Sequence, residues 1–163
     1  MNVSGQEPRT SDKSICPFPE EPAWFLPASP YMARRVLVAE DDRAIQSVVS
    51  EYLRDEGFEV DIANNGAEAL LRARQTPPDM AVVDVCMPVM DGPALLATWT
   101  RDPMLHQVPV VMVSAAPGLA DLARQFDVRA TLAKPFDLHV LGALVRQVLA
   151  YPGDRPHPPG ATA

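Results

Sequence analysis

Several side chains that could hold or transfer a phosphoryl group each follow a short apolar segment of this sequence. Glu40 and Asp41 come after VLVA, Asp84 after MAVV, Ser114 after VVMV and Lys134 after TLA. Carboxylates gathered together disfavour one another's charge unless a cation lies between them, and Mg²⁺ is a hard cation that takes oxygen ligands. A carboxylate beside Mg²⁺, an ammonium group and a hydroxyl is equipped to attack phosphorus. These residue types therefore indicate phosphoryl transfer, provided that the fold brings them together.

The apolar segments have the length and composition of buried strands, and amphipathic helical segments lie between them. Near-continuous apolar strands that alternate with helices predict a parallel sheet covered on both faces. In such sheets, ligands bind beyond the carboxyl ends of the strands. The predicted strands are 36–39, 58–63, 80–83, 108–113 and 131–133, and the second is a half-buried edge strand.

Helix boundaries follow from capping residues. The first helix is predicted to end at Gly57, and Asn65 with Glu68 forms a capped start for the second. Asp42 and Asp91 are expected to cap the first and third helices rather than bind a metal. The apolar stripe of the first helix is predicted to comprise Ile45, Val48, Val49, Tyr52 and Leu53.

The 163-residue chain divides by composition into a folded region and two tails. Residues 1–32 and 151–163 are rich in proline and lack periodicity, so we expect both to be disordered, with one domain over 33–150. The net charge of −7 argues against a nucleic-acid surface and an anionic membrane surface. The two cysteines suggest neither a disulfide framework nor a zinc site, which favours a reducing cytoplasm.

Four motifs occur in order at the predicted strand ends: VLVAEDD, VVDVCMPVMDG, VVMVSA and AKPF. Together they resemble the response-regulator receiver domain of two-component signalling, in a single-domain form, over about 33–150. The resemblance implies a flavodoxin-like (βα)5 fold, an α/β doubly wound parallel sheet with strand order 2-1-3-4-5. It also implies a cis peptide bond between Lys134 and Pro135.

The resemblance assigns the metal and the phosphoacceptor. Asp84 would accept a phosphoryl group from a phosphohistidine. Mg²⁺ would be held by Glu40 and Asp41, directly or through water, by Asp84, and by the backbone carbonyl of Cys86.

The same resemblance assigns the phosphoryl-binding and switch residues. Ser114 would hydrogen-bond a phosphoryl oxygen and move toward it after transfer, Ala115 would leave room for that motion, and Lys134 would pair with the phosphoryl group. Thr131 stands where the family commonly has Tyr or Phe, so the coupling to the outer face is expected to be weaker or differently routed. The segment between Ser114 and Lys134 is also shorter than the family pattern.

The resemblance also implies that Cys86 and Ala116 lie beside the path of the hydrolytic water. Neither carries a strong hydrogen-bonding side chain, and this predicts slow self-dephosphorylation.

These features predict a signalling domain that turns over no small molecule and acts through protein–protein contacts. The expected partners are a histidine kinase or a histidine phosphotransfer domain and an unknown downstream protein, with no nucleic acid and no membrane. An alternative is a receiver-like protein-binding module that works without phosphorylation. A phosphatase of the haloacid-dehalogenase class is disfavoured because Cys86 occupies the position of its second aspartate.

Overall fold

A five-stranded parallel sheet forms the centre of the fold in the computed structural model, which describes residues 33–150. The strand order is β2-β1-β3-β4-β5, as the resemblance implies. The elements are β1 (Arg35–Ala39), α1 (Arg43–Asp55), β2 (Glu59–Ala63), α2 (Gly66–Gln75), β3 (Met80–Asp84), α3 (Gly92–Trp99), β4 (Val110–Ser114), α4 (Leu119–Phe126), β5 (Ala130–Ala133) and α5 (Leu138–Ala150).

Two apolar clusters cover the two faces of the sheet. Alternate residues of one strand point to opposite faces, so Leu37 joins one cluster while Val36 and Val38 join the other. Trp99 of α3 is fully buried in the first cluster, and Leu141 of α5 is fully buried in the second. This two-sided burial explains why the central strands carry few polar residues, and it confirms the predicted doubly wound α/β class.

The fourth strand begins and ends later than predicted. It runs from Val110 to Ser114 rather than from 108 to 113. Pro109 has no N–H to donate, but its carbonyl accepts the Ala81 N–H at 3.0 Å. The shift makes Ser114 the last residue of β4 itself, so the sheet fixes its backbone.

The predicted helix caps are confirmed. The Asp42 carboxylate accepts the Ala44 and Ile45 N–H groups, and the Asp91 carboxylate accepts the Ala94 N–H. Gly57 follows α1 with a φ of 92°, a left-handed conformation that glycine adopts without strain.

The second helix is capped in a modified way. The Asn65 side chain accepts the Glu68 N–H, as predicted, at 2.9 Å. The Glu68 carboxylate, however, accepts the backbone N–H of Asn64 rather than that of the capping residue. The start of α2 is therefore bonded to the residue that directly follows β2.

The predicted apolar stripe of α1 is wrong at one position. Val49 and Leu53 are buried, whereas Val48 is 50% exposed. The buried face of the first two turns instead includes the polar side chain of Gln46, which is 6% exposed. A helix that lies beside the polar end of a sheet can bury a polar residue if that residue is hydrogen-bonded.

Val89, in the turn between β3 and α3, has a strained backbone. Its φ is 68° and it is 88% exposed, so no packing offsets the left-handed conformation of a β-branched residue. We expect Val89→Gly to raise the free energy of unfolding by about 0.5–1 kcal/mol. Urea denaturation of both proteins measures the difference. Val89→Ala should recover only part of the gain, and a loss of stability in Val89→Gly would contradict the strain argument.

The predicted tails, residues 1–32 and 151–163, lie outside the described residues. Within 33–150, no helix has the length and hydropathy needed to cross a bilayer.

Candidate functional site

The carboxyl ends of β1, β3 and β5 bring together the acids and the lysine that the sequence singles out. Lys134 Nζ donates to Glu40 Oε2 at 2.7 Å and lies 3.3 Å from Asp84 Oδ1. One oxygen from each of Glu40, Asp41 and Asp84 lies within 4.8 Å of the others. Segments far apart in sequence therefore meet at one edge of the sheet.

Backbone hydrogen bonds hold these strand ends in place. The Val85 N–H donates to Val113 O of β4 at 3.1 Å, and the Lys134 N–H donates to Ser114 O at 2.8 Å. The Val85 N–H also lies 2.9 Å from Asp84 Oδ1. The Asp84 carboxylate is thus positioned by the chain that follows it.

Gly92, at the start of α3, allows the helix to approach the backbone of Asp84. A Cβ atom at Gly92 would lie 2.6 Å from Asp84 O and 2.9 Å from Val85 Cα. Both are backbone atoms that no side-chain rotation can move aside. Glycine at this position therefore sets how closely α3 packs behind Asp84.

The charges at the site are unevenly compensated. Burial raises the pKa of the Glu40 carboxyl, and the charge of Asp84 raises it further, while the hydrogen bond from Lys134 offsets only part of this. Burial alone would lower the pKa of Lys134, but its hydrogen bond to Glu40 and the charge of Asp84 outweigh burial and raise it. The raised pKa keeps the Lys134 ammonium charged, and this one cation faces three carboxyl groups.

The acidic cluster fits a hard divalent cation. Its donors are carboxylate oxygens, which suit Mg²⁺ better than softer metals. Asp41 is exposed whereas Glu40 and Asp84 are buried, so the cluster is open to solvent on one side. That opening suits Mg²⁺, which usually keeps several water ligands.

The remaining candidate residues lie around this cluster. Ser114 is buried, and its Oγ accepts the Ala116 N–H at 2.9 Å, which leaves the hydroxyl proton able to donate elsewhere. Cys86 is exposed in the turn after β3, and Ala115 is exposed beyond β4. Ala115 and Lys134 border a groove of about 520 Å³ between α1 and the start of α5.

Thr131 is exposed on β5, at the edge of the sheet, where its Cα is paired in register with Met112. The peptide bond between Lys134 and Pro135 is cis, as the resemblance implied.

Gln46 is the residue at the site that sequence reasoning missed. Its side chain contacts the backbone of Glu40 and Ala63. The available signal was a polar residue three positions before Val49, on the face of the helix that Val49 and Leu53 share. Periodicity assigned the buried face to the neighbouring valines because an apolar scale does not identify a hydrogen-bonded polar residue.

Fold and site together define a receiver class of protein: a 2-1-3-4-5 parallel sheet with an acid cluster and a lysine at its carboxyl edge. The family profile described as "Response regulator receiver domain" matches residues 36–146. The chain belongs to this family.

Curated relatives are similar to this chain over about the same region. The transcriptional regulatory protein PrrA of Mycobacterium leprae is 39% identical over 117 residues, which cover 71% of this chain and 49% of that protein. The chain spans about half the length of the curated relatives it matches.

Two solved structures show the same fold. The chemotaxis protein CheY4 of Vibrio cholerae is 28% identical with a TM-score of 0.68, covering 72% of this chain and 99% of its own. The receiver domain of sensor histidine kinase PA1611 from Pseudomonas aeruginosa has a TM-score of 0.68 at 24% identity, over 73% of this chain and 99% of its own. That structure holds a magnesium ion in its active site cleft.

Proposed function

We propose that Asp84 accepts a phosphoryl group from a phosphohistidine and that the domain signals through its phosphorylated form. The observation that carries this proposal is the placement of a buried Asp84 carboxylate 3.3 Å from the Lys134 ammonium, next to two further acids. An ammonium group in that position is suited to neutralise phosphoryl oxygens as they approach.

The chemical step assigns different roles to the two oxygens of Asp84. Oδ1 lies near both the Val85 N–H and Lys134 Nζ. We assign Oδ2, which is free of those two contacts, as the attacking oxygen. It forms a bond to phosphorus while the phosphorus–nitrogen bond of the phosphohistidine breaks and the imidazole leaves.

Glu40, Asp41 and Asp84 would hold Mg²⁺ with the backbone carbonyl of Cys86. When bound, the ion neutralises phosphoryl charge during transfer. The raised pKa of Glu40 and the excess of acids over lysine support this assignment, because a divalent cation would relieve both.

Ser114 would pair with a phosphoryl oxygen on Asp84 after transfer. Its Oγ accepts the Ala116 N–H, so its hydroxyl proton would donate to the phosphoryl group as the side chain moves toward it. Ala115 has no bulky side chain to oppose the motion. Thr131 is too small and too stiff at χ1 to reproduce the inward turn of an aromatic ring, so the coupling to the outer face is weaker or follows a different route.

The partners we propose are a histidine kinase or a histidine phosphotransfer domain as donor, and a downstream protein that prefers the phosphorylated form. Phosphorylation can shift the domain only by the difference in free energy that the phosphoryl contacts make between its two conformations. We propose neither turnover of a small molecule nor nucleic-acid binding for residues 33–150, and we place the domain in the cytoplasm.

Incubation with acetyl phosphate and Mg²⁺ tests the proposal. Intact mass spectrometry should show a gain of one phosphoryl group that EDTA prevents and that hydroxylamine removes, because an acyl phosphate is sensitive to nucleophiles. An absence of labelling under conditions that label a known receiver would favour the alternative function, a module that binds proteins without phosphorylation.

Slow loss of the phosphoryl group is a further expected result. Cys86 and Ala116 are both exposed beside the site and offer no strong acceptor to orient an attacking water. Ala116→Glu should therefore speed the loss of the phosphoryl group by about tenfold or more. A well-placed general base typically contributes about 10²–10⁴-fold. The decay of the intact-mass signal after removal of acetyl phosphate measures the rate. Ala116→Gln serves as the uncharged control, and equal rates in all three proteins would contradict the prediction.

A further inference from the structure

A buried amide connects two turns at the edge of the candidate site. Gln46 lies on the first turn of α1 and is 6% exposed. Its Nε2 donates to Glu40 O at 2.8 Å and also contacts Ala63 O and Asn64 Oδ1, each at 3.3 Å. The first acceptor belongs to the β1–α1 turn, the second is the last residue of β2, and the third is the residue that follows β2.

The orientation of the amide follows from its partners. Backbone carbonyls can only accept hydrogen bonds, so the NH₂ end of Gln46 must face Glu40 and Ala63. The NH₂ group has two hydrogens for three acceptors, and the shortest contact is the one with Glu40. The shortest hydrogen bond of the Gln46 amide is therefore made to Glu40, the residue whose carboxylate also accepts from the Lys134 ammonium.

Ala63 and Gln46 together hold the backbone of Glu40. Its N–H donates to Ala63 O at 3.1 Å, and its carbonyl accepts from Gln46, which also reaches Ala63 O. The carboxylate of Glu40 in turn lies 3.3 Å from the N–H of Asp42. Loss of the amide would leave the Glu40 carbonyl buried without this donor, and the turn that carries Glu40 and Asp41 would lose one of the hydrogen bonds that hold it.

We propose that Gln46 is a positioning residue for the metal site. It fixes the turn that presents Glu40 and Asp41, and it does so from outside the set of metal ligands. This inference rests on the proposed function, because it concerns the Mg²⁺ site described there. Partners that orient ligands in this way typically change metal affinity by about 10- to 100-fold when they are replaced.

Gln46→Met tests the role, because methionine keeps the length and helix propensity of glutamine but has no donor. Gln46→Glu is the second variant, since it keeps the shape of the side chain and replaces the donors by acceptors. Ser50→Ala is the matched control. Ser50 lies one turn further along α1, is also buried, and its Oγ has no hydrogen-bond partner within the described residues.

The 163-residue proteins are titrated with Mg²⁺ alone, and the NMR shifts of the Glu40–Asp42 amides give the metal affinity. We expect at least a tenfold loss of Mg²⁺ affinity in both Gln46 variants and none in Ser50→Ala. Without metal, the Glu40 amide should exchange its hydrogen faster in the Gln46 variants than in wild type. Urea unfolding of each protein separates this effect from a general loss of stability.

The failures of the two proposals are distinguishable. Wild-type affinity in both folded Gln46 variants, or an equal loss in Ser50→Ala, overturns the role of Gln46 and leaves the proposed function standing. A wild-type protein without Mg²⁺-dependent shifts overturns the proposed function, and the role of Gln46 with it.

Discussion

Asp84→Asn should abolish phosphorylation by acetyl phosphate while leaving the fold intact. The amide of asparagine is not a nucleophile toward phosphorus, so no acyl phosphate can form at this position. Asparagine has the same shape as aspartate, and its Oδ1 can still accept the Val85 N–H that now lies 2.9 Å from Asp84 Oδ1. Intact mass after incubation with Mg²⁺ and acetyl phosphate should show no phosphoryl gain above background.

The stability of the Asp84→Asn variant provides its control. The charge of Asp84 contributes to the raised pKa of Glu40, so removing it relieves repulsion at the metal-free site. The variant should therefore unfold at a urea concentration at least as high as wild type. Asp91→Asn, which alters an aspartate that caps α3, should still be labelled. Labelling of Asp84→Asn at the wild-type level would show that another residue accepts the phosphoryl group.

Much of the fold could be predicted from sequence because its three central strands, β1, β3 and β4, are buried on both faces. A strand such as Met80–Asp84 must be apolar at nearly every position, and this makes it recognisable without knowledge of its neighbours. Once the strands are recognised, their carboxyl ends are known as well. The shared edge of the sheet on which Glu40, Asp84 and Lys134 lie can therefore be predicted. Strand order, by contrast, came from the resemblance, because apolar strands carry little information about which neighbour they pair with.

The details that the sequence did not predict depend on close contacts between distant segments. The burial of Gln46 depends on the carbonyls of Glu40 and Ala63, which only the folded turns present to it. The strain at Val89 depends on the path of the loop to Gly92, where a side chain would collide with the backbone of Asp84. Periodicity describes one element at a time, so it cannot detect such contacts.

The pairing of charges at the site likewise depends on the folded structure. The sequence places several acids near one lysine, but only the distances show which acids share it. Lys134 donates to Glu40 at 2.7 Å and lies slightly farther, at 3.3 Å, from Asp84. Its ammonium group is therefore the main counter-charge to two buried carboxylates until a cation binds. Replacing Lys134 should show how far the stability of the protein depends on this charge.

Lys134→Met should destabilise the metal-free protein strongly and make its stability depend on Mg²⁺. Methionine keeps most of the length and apolar contacts of the lysine stem, but it leaves the buried carboxylates of Glu40 and Asp84 without their cation. Removal of one partner from a buried ion pair typically costs about 3–5 kcal/mol. Because the site is open to solvent on one side, we expect the free energy of unfolding to fall by about 3 kcal/mol. Urea unfolding in EDTA measures this loss.

Added Mg²⁺ should then restore more stability to Lys134→Met than it gives to wild type. The ion stabilises the folded state according to its affinity, and the affinity rises when no ammonium group competes for the same oxygens. Lys134→Arg keeps the charge and is the control, so it should lose less stability in EDTA and gain less from Mg²⁺. An equal response to Mg²⁺ in wild type and Lys134→Met would mean that the acids which contact Lys134 are not the acids that bind the metal. In that case, the ammonium group and the ion would not share a site, and the assignment of Glu40 as a metal ligand would fail.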